Sequence, residues 1–222
     1  MKACPSAAFQ LANYVEQEQI SDIQFNSIYT SSEKLFDFQR EKIESVFCCN
    51  VFEWYGSSEM RGMGFECEER HGLHMVPENL VIEFVMEGKH VAPGEIGEIL
   101  VTDLNNRAMP LIRYKIGDWG IPVDKNCSCG RGLPLMKEVV GRTRDFIKTQ
   151  DNNFISQDFF INFFRKIDFI AQFQVVQAKK ETLSIKIVKK REPREEEHCD
   201  LIKKIEKELN NINVTIEYVN II

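Results

Sequence analysis

The chain has 222 residues, of which 43% are hydrophobic and 28% charged; that is enough apolar content for one large domain or two small ones and too much for a disordered chain. Its formal net charge of −6 lacks the basic excess of a general nucleic-acid binder, so a zinc-ribbon nucleic-acid protein is set aside. No apolar run approaches the roughly 18 residues of a membrane span, and the opening Met1-Lys2-Ala3-Cys4-Pro5 lacks the apolar core of a secretory signal. The expectation is a cytoplasmic protein with no membrane partner. Seven cysteines, an odd and scattered set, do not form the framework of a small secreted disulfide protein.

In chain order, Pro5–Ile20 reads as an amphipathic helix with Ala8, Leu11, Ala12 and Val15 on one face. Ser27–Thr30 is a short strand. A second helix is expected to open on a capping box, with Thr30 as N-cap and Glu33 three residues on; Leu35, Phe38, Ile43, Val46 and Phe47 form its apolar stripe. Val51–Tyr55 follows as a strand, which gives the strand–helix–strand order of a parallel α/β unit. That strand runs into Tyr55-Gly56-Ser57-Ser58-Glu59, at the end where such sheets hold ligands. From Gly62 the style changes to glycines, turns and short strands (Leu80–Val85, Glu98–Leu104, Leu111–Ile116). A further apolar run, Tyr114–Asp118, is expected to stop at Gly117 and present the Asp118 carboxylate. After Gly141 the order is strand Phe146–Thr149, helix Ser156–Ile167, strands Phe173–Ala178 and Leu183–Val188, helix Glu195–Leu209 and strand Val214–Val219. The fold class is therefore α/β and α+β. Residues 1–61 form the end of a parallel α/β subdomain, 62–141 a small β subdomain, and 142–222 a C-terminal α+β lid module.

One constellation has the chemistry of a metal site. Cys127 and Cys129 flank Ser128 on a tight turn, and Cys67, His71 and His74 lie within eight residues upstream. Two ligands from each side give the Cys₃His set of a tetrahedral structural zinc. Cys67, His74, Cys127 and Cys129 are the expected ligands, with His71 the alternative to His74. Packed reduced thiols are the competing reading. Cys48 and Cys49, adjacent at a helix end, read as packing residues.

Three ordered motifs, YGSSE at 55–59, MPLIRYKIGD at 109–118 and GRTRDFI at 141–147, resemble those of adenylate-forming enzymes. Together with ECEERHGLH and CSCGRG, they are similar to the phenylacetate–CoA ligase branch and its relatives in capsular-polysaccharide biosynthesis. That resemblance implies activation of a small-molecule carboxylic acid with ATP and Mg²⁺ to an acyl-adenylate, with transfer to coenzyme A as the usual second step. It implies that Tyr55 stacks on adenine within the nucleotide-binding run of Gly56 and Ser57. Ser58 then reaches the α-phosphate and Glu59 holds Mg²⁺. Asp118 accepts both ribose hydroxyls, Arg142 contacts the ribose–phosphate region, and Ser32 and Glu33 line the adenine pocket. Glu59 and Arg142 are the implied catalytic groups. Arg144 takes the hinge position, where the family usually has Asp or Lys. The family's Ser/Thr/Gly-rich phosphate loop and late Gly-Lys segment have no counterpart, so the chain resembles the second half of a ligase, clipped at both ends. It is expected to be silent alone, with a missing N-terminal half or a homodimer as partner. The alternative is a non-catalytic, degenerate nucleotide- and zinc-binding module.

Overall fold

The computed structural model describes residues 1–149, 154–179, 181–209 and 212–222, with the backbone alone at 144 and 154. The backbone divides into two compact units, Met1–Thr143 and Arg144–Ile222.

In the first unit, β1 (Lys2–Ala3), β2 (Ser27–Thr30) and β3 (Asn50–Ser57) lie parallel. Helices α1 (Pro5–Gln17) and α2 (Asp37–Phe47) cover one face of these strands. Ala8, Ala12 and Val15 of α1 and Ile43 and Phe47 of α2 meet Ile28 and Val51 in one apolar cluster. Pro5 occupies the first turn of α1, where its missing N–H costs nothing.

The expected capping box is not formed. Thr30 is buried within β2 and its hydroxyl donates to the Phe52 carbonyl at 3.3 Å. Glu33 accepts from the Ser6 backbone N–H at 3.0 Å and the Ser6 hydroxyl at 2.9 Å, so its carboxylate caps α1, not α2. Helix α2 opens at Asp37 instead, where Gln39 reaches back to the Phe36 N–H.

β3 turns through Ser58–Met60 into β4 (Arg61–Glu66), and the sheet becomes antiparallel. β5 (Leu73–Met75), β6 (Leu80–Met86), β7 (Lys89–His90), β8 (Gly97–Asp103), β9 (Tyr114–Val123) and β10 (Leu135–Arg142) follow. The result is a ten-stranded sheet in the order β1-β2-β3-β4-β5-β10-β9-β8-β6-β7. The Arg61/Gly62 boundary expected from composition falls at the start of β4, where the sheet runs on without a break.

β9 corrects the reading that a strand ends at Gly117. Glu98 pairs with Trp119 and Leu100 with Lys115, so three residues of β9 stand opposite one of β8. Gly117, at φ +84, supplies the left-handed residue of this bulge. The strand resumes at Asp118, which pairs with Arg142 of β10.

In the second unit, β13 (Ile170–Lys179), β14 (Thr182–Lys189) and β15 (Asn213–Val219) form a three-stranded sheet; α3 (Gln157–Phe164) and α4 (Glu195–Glu208) share its core. A short ribbon, β11 (Ile147–Lys148) with β12 (Phe154–Ile155), precedes them. Leu183, Ile185 and Ile187 alternate inward along β14 against Phe160, Phe164, Leu201 and Ile205. Arg191 bridges the loop before α4 to Asp168 and Glu197, both at 2.8 Å.

Candidate functional site

Three strand segments bring together Tyr55, Asp118 and Arg142. The bulge at Gly117 carries Asp118 into the sheet, leaving it 7% exposed. The Tyr55 hydroxyl donates to Asp118 Oδ2 at 2.9 Å. Arg142 Nε lies 3.6 Å from Asp118 Oδ1, with its side chain more than half exposed. Burial first, and then the Asp118 charge, push the Tyr55 phenol far above its ordinary value, so it stays protonated and donates to Asp118. Just past Arg142, Thr143 donates to the Gly117 carbonyl at 3.1 Å and receives Trp119 Nε1–H at 2.9 Å. These two bonds hold the end of β10 against the bulge. The carboxylate thus offers an acceptor pair with a cation on one side and a phenol on the other.

Glu59 sits on the exposed β3–β4 turn. Its own backbone N–H and the Ser57 hydroxyl hold its carboxyl below the usual range. Tyr114 donates to it at 3.3 Å, and Ser57 Oγ accepts the Met60 N–H at 3.1 Å, which fixes the turn. Ser58 is exposed on the same turn. Ser32 adopts φ +76 beside Glu33, whose carboxylate is engaged on α1. Lys34, two residues on from Ser32, pairs with Glu138 of β10 at 2.9 Å. The Arg144 side chain lies outside the described atoms. Tyr114, Thr143 and the Lys34–Glu138 pair were not singled out from sequence; for Tyr114 the signal was its place four residues before Asp118.

The second cluster lies at the other end of β10. Cys67 follows β4, His74 is in β5, and Cys127 and Cys129 are in the β9–β10 loop. Their four ligand atoms all lie within 4.8 Å of one another. Cys67 Sγ and Cys127 Sγ are 3.6 Å apart, and Cys129 Sγ is 3.4 Å from His74 Nε2. Tetrahedral Zn²⁺ with Zn–S bonds of about 2.3 Å sets its sulfurs about 3.8 Å apart, so the donor set and its spacing fit that ion. Burial lowers the His74 pKa, favouring the neutral imidazole that a metal needs. The backbone and then the side chain of Arg131 lower the Cys129 thiol to about 7. His71 Nδ1 is 3.9 Å from Cys127 Sγ, but the residue is exposed. Cys48 is exposed as well, at the left-handed end of α2, and not the packing residue expected.

Residues 147–222 match the family model of the CapK C-terminal domain. Phenylacetate-coenzyme A ligase of Thermus thermophilus is 31% identical over 64% of this chain and 34% of its own length. Protein CapK of Staphylococcus aureus is 28% identical over 95% of this chain and 47% of its own. Among solved structures, 2-hydroxyisobutyryl-CoA ligase with R3-HIB-AMP superposes with a TM-score of 0.71 at 18% identity, over 98% of this chain and 50% of that one. O-succinylbenzoate coenzyme A synthetase of Bacillus subtilis with AMP gives 0.70 at 17%, over 100% and 47%. The chain thus spans about a third to a half of the length of these relatives. The ordered motifs, these partial matches and the shared fold support placement of the chain in the adenylate-forming acyl-CoA ligase superfamily, with similarity to phenylacetate–CoA ligase and CapK.

Proposed function

We propose that these residues carry the adenosine-binding part of an acid-activating site. The observation that supports it is the buried Asp118 carboxylate held between Tyr55 and Arg142. A carboxylate accepting two hydroxyls matches a ribose diol, since each hydroxyl donates once and each oxygen has a lone pair free. The Tyr55 ring would give adenine a flat partner, and by the motif resemblance Ser32 and Glu33 would line the same pocket. Arg142, half in solvent, neutralises charge on the phosphate side, and Ser58 with Gly56 and Ser57 lines the approach to the α-phosphate. Glu59, kept ionised, would hold Mg²⁺, which withdraws charge from the phosphate oxygens. In the reaction this site would serve, a carboxylate oxygen bonds to the α-phosphorus as the bond to pyrophosphate breaks. Coenzyme A thiol then takes the acyl group and AMP leaves. Zn²⁺ on Cys67, His74, Cys127 and Cys129 would be structural, four protein ligands leaving no open position.

The 222 residues alone are expected to bind nucleotide without turning over. They contain no Ser/Thr/Gly-rich loop to cradle a triphosphate with backbone N–H groups. Isothermal titration with AMP tests the assignment. Asp118→Ala should weaken AMP at least about tenfold, since hydrogen bonds to a charged group contribute about 1.5–3 kcal/mol each. Equal affinity in native and variant protein would remove Asp118 from the site.

A further inference from the structure

Two strands exchange tyrosines at the candidate site. β3 carries Tyr55 and leads to Glu59, and β9 carries Tyr114 and Asp118, so each tyrosine precedes a carboxylate by four positions. Three strands, β4, β5 and β10, separate β3 from β9 in the sheet order. Their side chains nevertheless meet, and they meet crosswise. Tyr55 of β3 donates to Asp118 at 2.9 Å, and Tyr114 of β9 donates to Glu59 Oε1 at 3.3 Å. Both tyrosines pack on one core, which includes Met60, Met63 and Met136. The first pair is the adenosine side of the site; the second lies at the Glu59 turn.

Tyr114 follows a strained residue. Arg113 adopts φ +47, a left-handed backbone that non-glycine residues rarely take. The Thr102 hydroxyl accepts the Arg113 N–H at 2.9 Å, and Glu83 binds its guanidinium at 3.1 Å. Strain of this kind persists only where the surroundings over-determine it, and it gathers at functional sites. Glu59 is the other half of the pair. It is an exposed carboxylate with three donors on it: its own N–H, the Ser57 hydroxyl and the Tyr114 phenol, with the Arg142 charge acting in the same direction. An exposed glutamate is otherwise free among many rotamers, so these donors are what keep the carboxylate in one place. We propose that Tyr114 is a positioning residue for a divalent cation: its phenol holds Glu59 Oε1 and leaves Oε2 for an ion on the phosphate side of the nucleotide. A carboxylate that binds a metal is ordinarily hydrogen-bonded in turn, and loss of such a partner typically costs about 10–100-fold in metal affinity. Tyr114 has this role only if the nucleotide reading holds.

Calorimetry with AMP in EDTA comes first, since it tests the nucleotide reading without metal. Mn²⁺ is then titrated into protein saturated with AMP, and bound ion is counted by loss of the free Mn²⁺ electron paramagnetic resonance signal. Native protein should hold one ion that Glu59→Gln loses, which separates this site from the thiol cluster. Tyr114→Phe keeps the ring in its core and removes only the hydroxyl. It should weaken Mn²⁺ at least about tenfold, with the circular dichroism spectrum and urea midpoint unchanged. Native protein that binds AMP but no Glu59-dependent Mn²⁺ would overturn the proposal, as would equal Mn²⁺ affinity in native protein and Tyr114→Phe. Failure to bind AMP in EDTA would remove the nucleotide reading, and the role of Tyr114 with it, before any metal is added.

Discussion

Glu53 offers the sharpest test of the electrostatics inside the first unit. It lies in β3 on the covered side of the sheet, and its carboxyl is pushed from 4.5 to about 7 by burial first and then by the charge of Glu66. Arg40 and Lys34 pull the other way, and Glu138 adds to the repulsion. Each pH unit between the folded and unfolded values corresponds to about 1.4 kcal/mol, so the ionised carboxylate costs the folded state about 3 kcal/mol. Below about pH 4.5 the group is protonated folded or unfolded, and the cost is absent. Between there and about pH 7 the unfolded chain releases a proton that the folded chain keeps, so stability falls as pH rises. Above about pH 7 both states are ionised and the loss is complete. Glu53→Gln keeps the shape and removes the charge. The chain has two tryptophans, Trp54 and Trp119, both in the first unit, so fluorescence-monitored urea unfolding reports that unit alone. Relative to native protein, the variant should gain about 3 kcal/mol between pH 4.5 and pH 8, the other groups cancelling in the difference. Curves that stay parallel to within about 0.5 kcal/mol across that range would refute the reasoning.

Native protein purified without added metal should carry one zinc by elemental analysis, lost in Cys127→Ser; a zinc-free native protein would leave packed thiols as the reading. Glu66→Ala should destabilise the first unit by about 1–3 kcal/mol, because the Arg40 guanidinium loses both Glu66 oxygens at 2.9 Å and keeps the Val51 carbonyl and the neighbouring Glu53; an unchanged urea unfolding curve would mean the bidentate pair contributes nothing. Tyr55→Phe should tighten AMP about two- to tenfold in calorimetry, since the phenol no longer occupies an Asp118 oxygen while the ring remains; weaker binding would show that the hydroxyl itself serves the nucleotide.

Elements whose pattern is local were legible in the sequence, and those set by a distant partner were not. Ser27–Thr30 appears as a strand of those same residues because β-branched residues and flanking turns mark it. The start of α2 was misread because Thr30-x-x-Glu33 satisfies a local capping rule, while its two residues serve a neighbouring strand and a helix 27 positions away. Gly117 reads as a stop in the sequence, although a lone glycine inside a strand pattern equally marks a bulge; the pairing with β8 decides between them. The motifs point to Tyr55, Asp118 and Arg142; Tyr114 and Thr143 lie in the same runs, but their bonds span 55 and 26 positions, so the fold is needed to show their partners. Glu53 could have been found: Val51-x-Glu53-x-Tyr55 alternates from a plainly buried residue, which turns its carboxylate inward.

The two clusters are not independent features of the first unit, because one strand joins them. β10 begins at Leu135, which packs with Cys67 and Cys127 and pairs with His74, and it ends at Arg142, which pairs with Asp118. Toward β5 the strand is held by the two pairings Leu135–His74 and Met136–Leu73, whereas toward β9 its ladder is interrupted by register shifts at Met136/Glu138 and Val139/Gly141. Four ligands from β5, the end of β4 and the β9–β10 loop, closed on one ion, would fix the start of the strand. The Thr143 bonds to Gly117 and Trp119 fix its end. Since a one-residue slip turns every side chain to the opposite face, anchoring β10 is what keeps Arg142 on the side of Asp118. On the proposed assignments, a metal ion at this cluster would support the nucleotide site from the far end of an eight-residue strand, by holding the start of β10 in place.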